Sequence, residues 1–213
     1  MRTYNQLAGQ KIQRIEALSD GVFAIALTLL VLDIKVPEIE VKSEEELLHS
    51  LAALAPKFLS YFLSFMMMGI FYTGQALQLS YIEKYDRNLN WNALFFLLAI
   101  SLLPFTTAFL SEYIHFKIAV GIYWLNILLC GLLLLIHWNY AFRNDYVSIP
   151  ENMRAEVNAA VKKRILIAQA LYLFGALLCF INTYLSIGFI IIVQLNYAFA
   201  FFSGKSQKEK MEE

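Results

Sequence analysis

Apolar residues come in six long runs separated by short polar intervals, at roughly 12–34, 54–78, 91–111, 116–139, 164–182 and 184–202. A helix crossing the hydrocarbon core of a bilayer needs about 20 mostly apolar residues, so the pattern predicts an all-α integral membrane bundle of six transmembrane helices. The last two runs are joined only by "INTYLS", which predicts a tight antiparallel hairpin. Pro104 interrupts the third run and predicts a kink there, freeing backbone carbonyls to which Ser101, Thr106 or Thr107 can adjust. "SEEE" at 43–46 reads as a capping box, with Ser43 as N-cap and Glu46 three residues on. "SIPENMRAEVNAAVKKR" opens a helix with Pro150 in its first turn and continues into the fifth span as an extension. Trp91, Tyr113, Trp138, Tyr140 and Tyr184 mark run ends, as in interfacial belts. Residues 1–204 read as a single six-span domain and 205–213 as a short polar tail, with no strong internal repeat.

The first run, "RIEALSDGVFAIALTLLVLD", carries a second pattern inside the first. Each helical residue turns by about 100°. With Ile25 at zero, Leu29 lies near +40°, Leu32 near −20° and Thr28 near −60°, and Leu18, Gly21 and Arg14 fall within about 40° of the same line. Glu16, Ser19 and Asp20 lie about 120–180° away, so a branched aliphatic stripe opposes a polar patch. Polar groups inside a membrane cost several kcal/mol each unless paired, so the patch should face protein. The stripe then faces lipid or packing partners, or a symmetry axis where copies of the helix meet. Asn90, Trp91 and Asn92, opening the third span, are suitable partners for the patch carboxylate.

Composition agrees: 59% of residues are hydrophobic and 16% charged, and mean hydropathy is +0.56. Soluble domains are usually about half apolar and about a quarter charged. With the N-terminus inside, thirteen of the 17 Lys and Arg fall on the cytoplasmic side and only Lys35, Lys42, Lys57 and Lys117 outside. This positive-inside bias places both termini in the cytoplasm. A formal net charge of zero gives no reason to expect a nucleic-acid partner. The "MRTYNQLAGQKIQR" start is too polar for a signal-peptide core, and the run after it ends in "LDIKVPE" without a small-residue cleavage site, so it should be retained. The outer segment with Glu38, Glu40, Glu44, Glu45 and Glu46 is either a solvated helix start or a vestibule that concentrates cations. Cys130 and Cys179 stand alone in separate runs, as neither a disulfide framework nor a metal site.

Two segments resemble a known family, the transmembrane-protein-175 potassium channels of animal endosomes and lysosomes and of bacteria. The family's marker, R-x-x-x-F-S-D opening the first helix, is matched by "RIEALSD" at 14–20, with Leu18 in the aromatic position. "GVFAIALTLLVLDI" resembles the family's first helix, and "DRNLNWNALFFLLAISLLPFTTAFL" its third, with a Trp–Asn pair and a Leu-Pro-Phe-Thr segment. The likeness is good over about residues 11–110. One departure is that "YTGQALQL", with Gln75 and Ala76, stands where one or two histidines are expected at the end of the second span.

The resemblance implies a homotetramer in the membrane, with the first helices lining a central pore that conducts monovalent cations passively and prefers K+ over Na+. It implies a hydrophobic constriction at Ile25, Leu29 and Leu32, with Thr28 as a hydroxyl ring, in place of a carbonyl filter; no T-V-G-Y-G-like loop is present. Arg14, Ser19, Asp20, Trp91 and Asn92 become the polar network that fixes the helix around the axis, although angles put Arg14 nearer the stripe. No metal or cofactor is implied, only the permeant K+ ion, and the location is a bacterial cell membrane. An apolar constriction predicts modest selectivity.

A secondary transporter of a cation or small solute is the alternative. Against it stand the absence of a broken helix, of an inverted repeat and of a carboxylate midway along a later span. An intramembrane enzyme has no constellation to work with. His49 and His115 fall in or beside outer segments and His137 near an interface, none at ligand spacing from a second metal-binding side chain.

Overall fold

The computed structural model describes residues 12–37 and 43–199. Eight α-helices follow one another among them: α1 (Ile12–Leu29, extended by a 3-10 turn over Leu30–Asp33), α2 (Glu44–Ala53), α3 (Ala55–Tyr81), α4 (Arg87–Ser101), α5 (Leu103–Glu112), α6 (Lys117–Arg143), α7 (Glu151–Leu177, extended by a 3-10 turn over Leu178–Phe180) and α8 (Thr183–Phe199). Ile12–Asp33, Arg87–Glu112, Lys117–Arg143 and Glu151–Phe180 are each long and apolar enough to cross a membrane. The α2–α3 pair, bent by 41°, supplies a fifth crossing if counted as one span, and Thr183–Ala198 is a shorter apolar helix. Six apolar segments thus follow the six runs. Glu38, Glu40, Lys42 and the tail over 205–213 lie outside the described residues.

Local sequence chemistry accounts for the helix ends. The Ser43 hydroxyl accepts from the Glu46 N–H at 3.2 Å, the bond that a capping box requires. Asn182 caps α8, its Oδ1 accepting from the N–H groups of Tyr184 (2.8 Å) and Leu185 (3.3 Å), so the hairpin needs almost no loop. Pro150 stands at the N-cap of α7, which runs unbroken into the fifth span.

The third span is interrupted at Leu102, between α4 and α5. Pro104 has no N–H to offer the Ile100 carbonyl and its ring crowds that carbonyl; the Leu102 N–H takes it instead. The bond from the Leu103 N–H to the Ala99 carbonyl is also spliced. With its amide oriented to suit both neighbours, Asn126 of α6 donates to the Ala99 carbonyl at 3.1 Å and accepts from the Leu103 N–H at 3.3 Å. Ser101 and Thr107 bond back to the Leu98 and Leu103 carbonyls, at 2.8 and 2.7 Å, and not to the freed Ala99 and Ile100 carbonyls as expected. Asn126→Leu strands two buried backbone groups, each costing about 1–3 kcal/mol. Thermal unfolding in detergent should show a loss of about 2–4 kcal/mol, and an unchanged melting temperature would refute the splice.

α6 is the central helix, lying against α4, α5 and α7. Its residues Tyr123, Ile127, Cys130 and Trp138 are all fully buried. Gly131 permits closest approach to α7, because a Cβ there would collide with the Gln169 side chain. Two interfacial expectations are corrected. Trp138 does not lie in a belt: it is enclosed, and its indole N–H donates to Asn158 Oδ1 at 3.0 Å. His137 is likewise buried, with Nδ1 3.1 Å from Gln78 Oε1 and Nε2 3.3 Å from the Tyr85 hydroxyl. α7 and α8 flank one side of this core, and α1 lies at the other edge against α3, α4 and α5.

Candidate pore-lining helix

α1 touches the bundle along a single line. Ile15, Ser19, Phe23, Ala26 and Leu30 are buried, and at about 100° per residue they centre roughly 120° from Ile25. Phe23 is the main anchor. Its ring meets Tyr72 edge-on at 5.3 Å and Phe96 at 6.1 Å, tying α1 to α3 and α4. Between apolar surfaces in lipid such contacts stabilise through packing rather than release of water.

The stripe stays bare. Ile25 is 61% exposed, Leu29 45% and Leu32 66%, and Leu18 and Gly21 continue the exposed line. Thr28 is exposed among them, its hydroxyl donating back to the Ile25 carbonyl at 2.8 Å. That bond uses the proton and leaves oxygen lone pairs outward.

The polar patch behaves differently from the expected network. Ser19 is buried against the bundle, with no hydrogen-bond partner for its Oγ. Asp20 is exposed and accepts from the Tyr72 hydroxyl at 3.1 Å, a bond to the second span where the third was expected. Trp91 stands 48% exposed with its ring 5.9 Å from Phe95, and Asn92 is half-buried. Among the described residues no hydrogen bond or ion pair joins Arg14, Trp91 or Asn92 to Ser19 or Asp20. At the other end of α1, the Ser111 hydroxyl donates to Asp33 Oδ2 at 2.8 Å. α1 is therefore pinned near each end by a carboxylate that accepts from a hydroxyl. Tyr72, Asp33 and Ser111 were missed because their pairing joins separate helices; the one local signal was a carboxylate at each end of an apolar run.

A second polar knot steadies the loops on the Asp20 side. Asp86 caps α4 by accepting from the Leu89 N–H at 2.8 Å, and also accepts from the hydroxyls of Tyr140 (2.7 Å) and Tyr146 (3.3 Å). The Glu83 N–H donates to the Tyr146 carbonyl, and Ile82 pairs with Val147 in one antiparallel bridge. Burial, and then the Asp86 charge, raises the Tyr85 and Tyr146 phenols above the usual tyrosine range, so both stay neutral donors. Nearby, Asp145 takes a positive φ of 58° in the turn after α6, and Arg154 beside it holds its carboxyl below the usual range.

Comparison with known proteins identifies this architecture. The family described as "Endosomal/lysosomal potassium channel TMEM175" matches residues 14–104. A potassium channel of Chamaesiphon minutus is 33% identical over 87% of this chain and 92% of its own length. A potassium channel of Streptomyces collinus is 35% identical over 71% and 73%. The crystal structure of a lysosomal potassium-selective channel TMEM175 homologue from Chamaesiphon minutus superimposes with a TM-score of 0.77 at 29% identity, covering 89% of this chain and 97% of that one. The family expected from "RIEALSD" and the Trp–Asn and Leu-Pro-Phe-Thr segments is thus confirmed, and with it a multi-pass membrane protein of an ion-channel family. With matches that span both chains almost end to end, this protein belongs to the TMEM175 family of potassium channels.

Proposed function

We propose that four copies assemble with α1 around a common axis, and that the resulting pore conducts monovalent cations passively with a preference for K+ over Na+. The constriction consists of Ile25, Leu29 and Leu32, with Thr28 supplying a ring of hydroxyl oxygens between the apolar layers. The observation carrying this reading is the bare stripe: the three aliphatic residues that the angles align are 45–66% exposed on a helix whose opposite side is buried. Arg14, Trp91 and Asn92, which are joined to neither Ser19 nor Asp20 among the described residues, close their network across neighbouring copies. Both termini lie in the cytoplasm, a reading supported by the Lys/Arg distribution, and the membrane is the bacterial cell membrane. The resemblance implies no cofactor.

The interruption at Leu102 is the feature that a transporter reading would claim, since carriers bind substrate at broken helices. Here the freed backbone groups are taken up by Asn126 inside the core, leaving none to line a substrate cavity. The test is recording from purified protein in planar bilayers under opposed K+ and Na+ gradients. Passive current reversing on the K+ side of zero is expected. Slow coupled exchange without current would replace the channel by a carrier, and reversal at zero would remove the K+ preference.

A further inference from the structure

On the side of the bundle away from α1, a groove of about 410 Å³ runs between α3 and α8. Phe65, Gly69, Ile70 and Thr73 line it from α3 and Tyr197 from α8, and Arg164 closes its end on the side of Asp20 and Asp86. A smaller pocket of about 60 Å³ opens from the same mouth, sharing Ile70, Arg164 and Tyr197. At its inner wall are Gln169 and Tyr172, one and two turns beyond Arg164 on α7. Tyr172 is only 2% exposed, yet neither its hydroxyl nor Gln169 Oε1 has a hydrogen-bond partner.

Arg164 itself is exposed and has no carboxylate partner among the described residues. Its guanidinium lies over the Tyr197 ring at 5.9 Å, an arrangement that leaves the N–H fork available to an anion. Lys162, two residues before it, lies over the Phe142 ring instead, so Arg164 is the cation that lines the groove. The occupant must therefore combine an anionic head with a long apolar body, and carry an acceptor a short way below the head.

We propose that this groove binds an anionic phospholipid, its phosphate on Arg164, one acyl chain along the Phe65–Gly69–Thr73 face of α3, and an ester carbonyl toward the Tyr172 hydroxyl. The order of depths agrees: Tyr172 follows Arg164 by eight residues, a rise of about 12 Å, which puts it below the head on the side of the acyl chains. The phosphate is taken from the leaflet facing the loops that Asp86 ties together, the cytoplasmic leaflet in the topology proposed above.

Two substitutions separate head from chain. Arg164→Gln removes the charge. Gly69→Leu fills the groove without displacing anything, since a Cβ at Gly69 meets no atom within 4 Å. Gly121→Leu, equally unobstructed but outside the groove, is the control. Binding of phosphatidylglycerol and phosphatidylcholine to the full-length protein is measured by native mass spectrometry, with inorganic phosphate as soluble competitor. The unmodified protein and Gly121→Leu should retain phosphatidylglycerol in preference to phosphatidylcholine. Arg164→Gln should weaken that retention by about tenfold, the scale of one lost charge-assisted contact, and Gly69→Leu should weaken both lipids. Equal retention of the two lipids, or variants that bind as the parent does, would overturn the proposal. Displacement by millimolar inorganic phosphate would make the site one for free anions. A Gly69→Leu protein that loses its oligomeric state while keeping its lipid would make the groove a contact between copies.

Discussion

Replacing Ile25 by asparagine should raise single-channel conductance by about tenfold, the factor that a barrier lower by about 1.4 kcal/mol yields, and draw the K+/Na+ reversal potential toward zero. Ile25 is 61% exposed on the helix that the proposed pore is built from. It lies five residues beyond Asp20, whose bond to Tyr72 sets the rotation of α1. An apolar ring resists ions by excluding water, so its barrier depends on polarity as well as bore. Asparagine is no bulkier than isoleucine and offers an amide that can hold water in the ring. Leu29→Asn and Leu32→Asn should act in the same direction and more weakly if Ile25 is the narrowest layer. Because all three side chains point away from their own bundle, the variants should fold and assemble like the parent. Unchanged currents in a normally assembled Ile25→Asn protein would turn the stripe toward lipid and remove the pore assignment.

Asp86→Ala should destabilise the protein from the loop side of the bundle. The substitution removes the cap of α4, worth about 1 kcal/mol, and strips the hydroxyls of Tyr140 and Tyr146 of their charged acceptor. Hydrogen bonds to a charged group are worth about 1.5–3 kcal/mol each when sheltered, less at a half-open site, so a total of about 2–3 kcal/mol is expected. Thermal unfolding in detergent measures it. Asp86→Asn keeps the capping oxygen but puts an NH2 donor where Oδ2 accepted the two hydroxyls, so it should lose less than Asp86→Ala only by about the 1 kcal/mol of the cap. Equal losses for the two variants would show that the carboxylate charge, rather than the cap, dominates. Currents from surviving Asp86→Ala channels should match the parent in reversal potential, because the knot lies on the loops and not on α1.

What could be read from the chain alone depended on how local each cause was. The rotation of α1 followed from 3.6-residue periodicity, and the observed buried line of Ile15, Ser19, Phe23, Ala26 and Leu30 lies where the angles require. The Ser43 cap, the 182–186 hairpin and the break before Pro104 are likewise set by residues within a turn of one another. Partners across the bundle were less legible. Asp20 pairs with a residue 52 positions away, and Asp86 with tyrosines 54 and 60 positions away. Nothing near Asp86 distinguishes it from a solvated loop charge. His137 and Trp138 stand near the end of an apolar run, where aromatic and polar residues usually meet headgroups. Here the 82–86 and 144–149 segments close over them, a covering made by tertiary structure and absent from the run itself.

The bare face of α1 also bears on how such a protein can change over generations. An aliphatic side chain against a lipid tail is already in apolar surroundings, so moving it to an axis between copies gains little free energy. In the proposed tetramer, association in the bilayer obeys mass action with a strength set by polar residues such as Arg14 on α1 and Trp91 and Asn92 on α4. In that proposed assembly the side chains that meet the ion and those that hold the copies together are separate sets. Selection can therefore exchange isoleucine, leucine, valine or methionine along the stripe, altering bore and wettability, while the oligomer persists. Ion preference becomes a trait that drifts or adapts one methyl group at a time, at almost no risk to assembly.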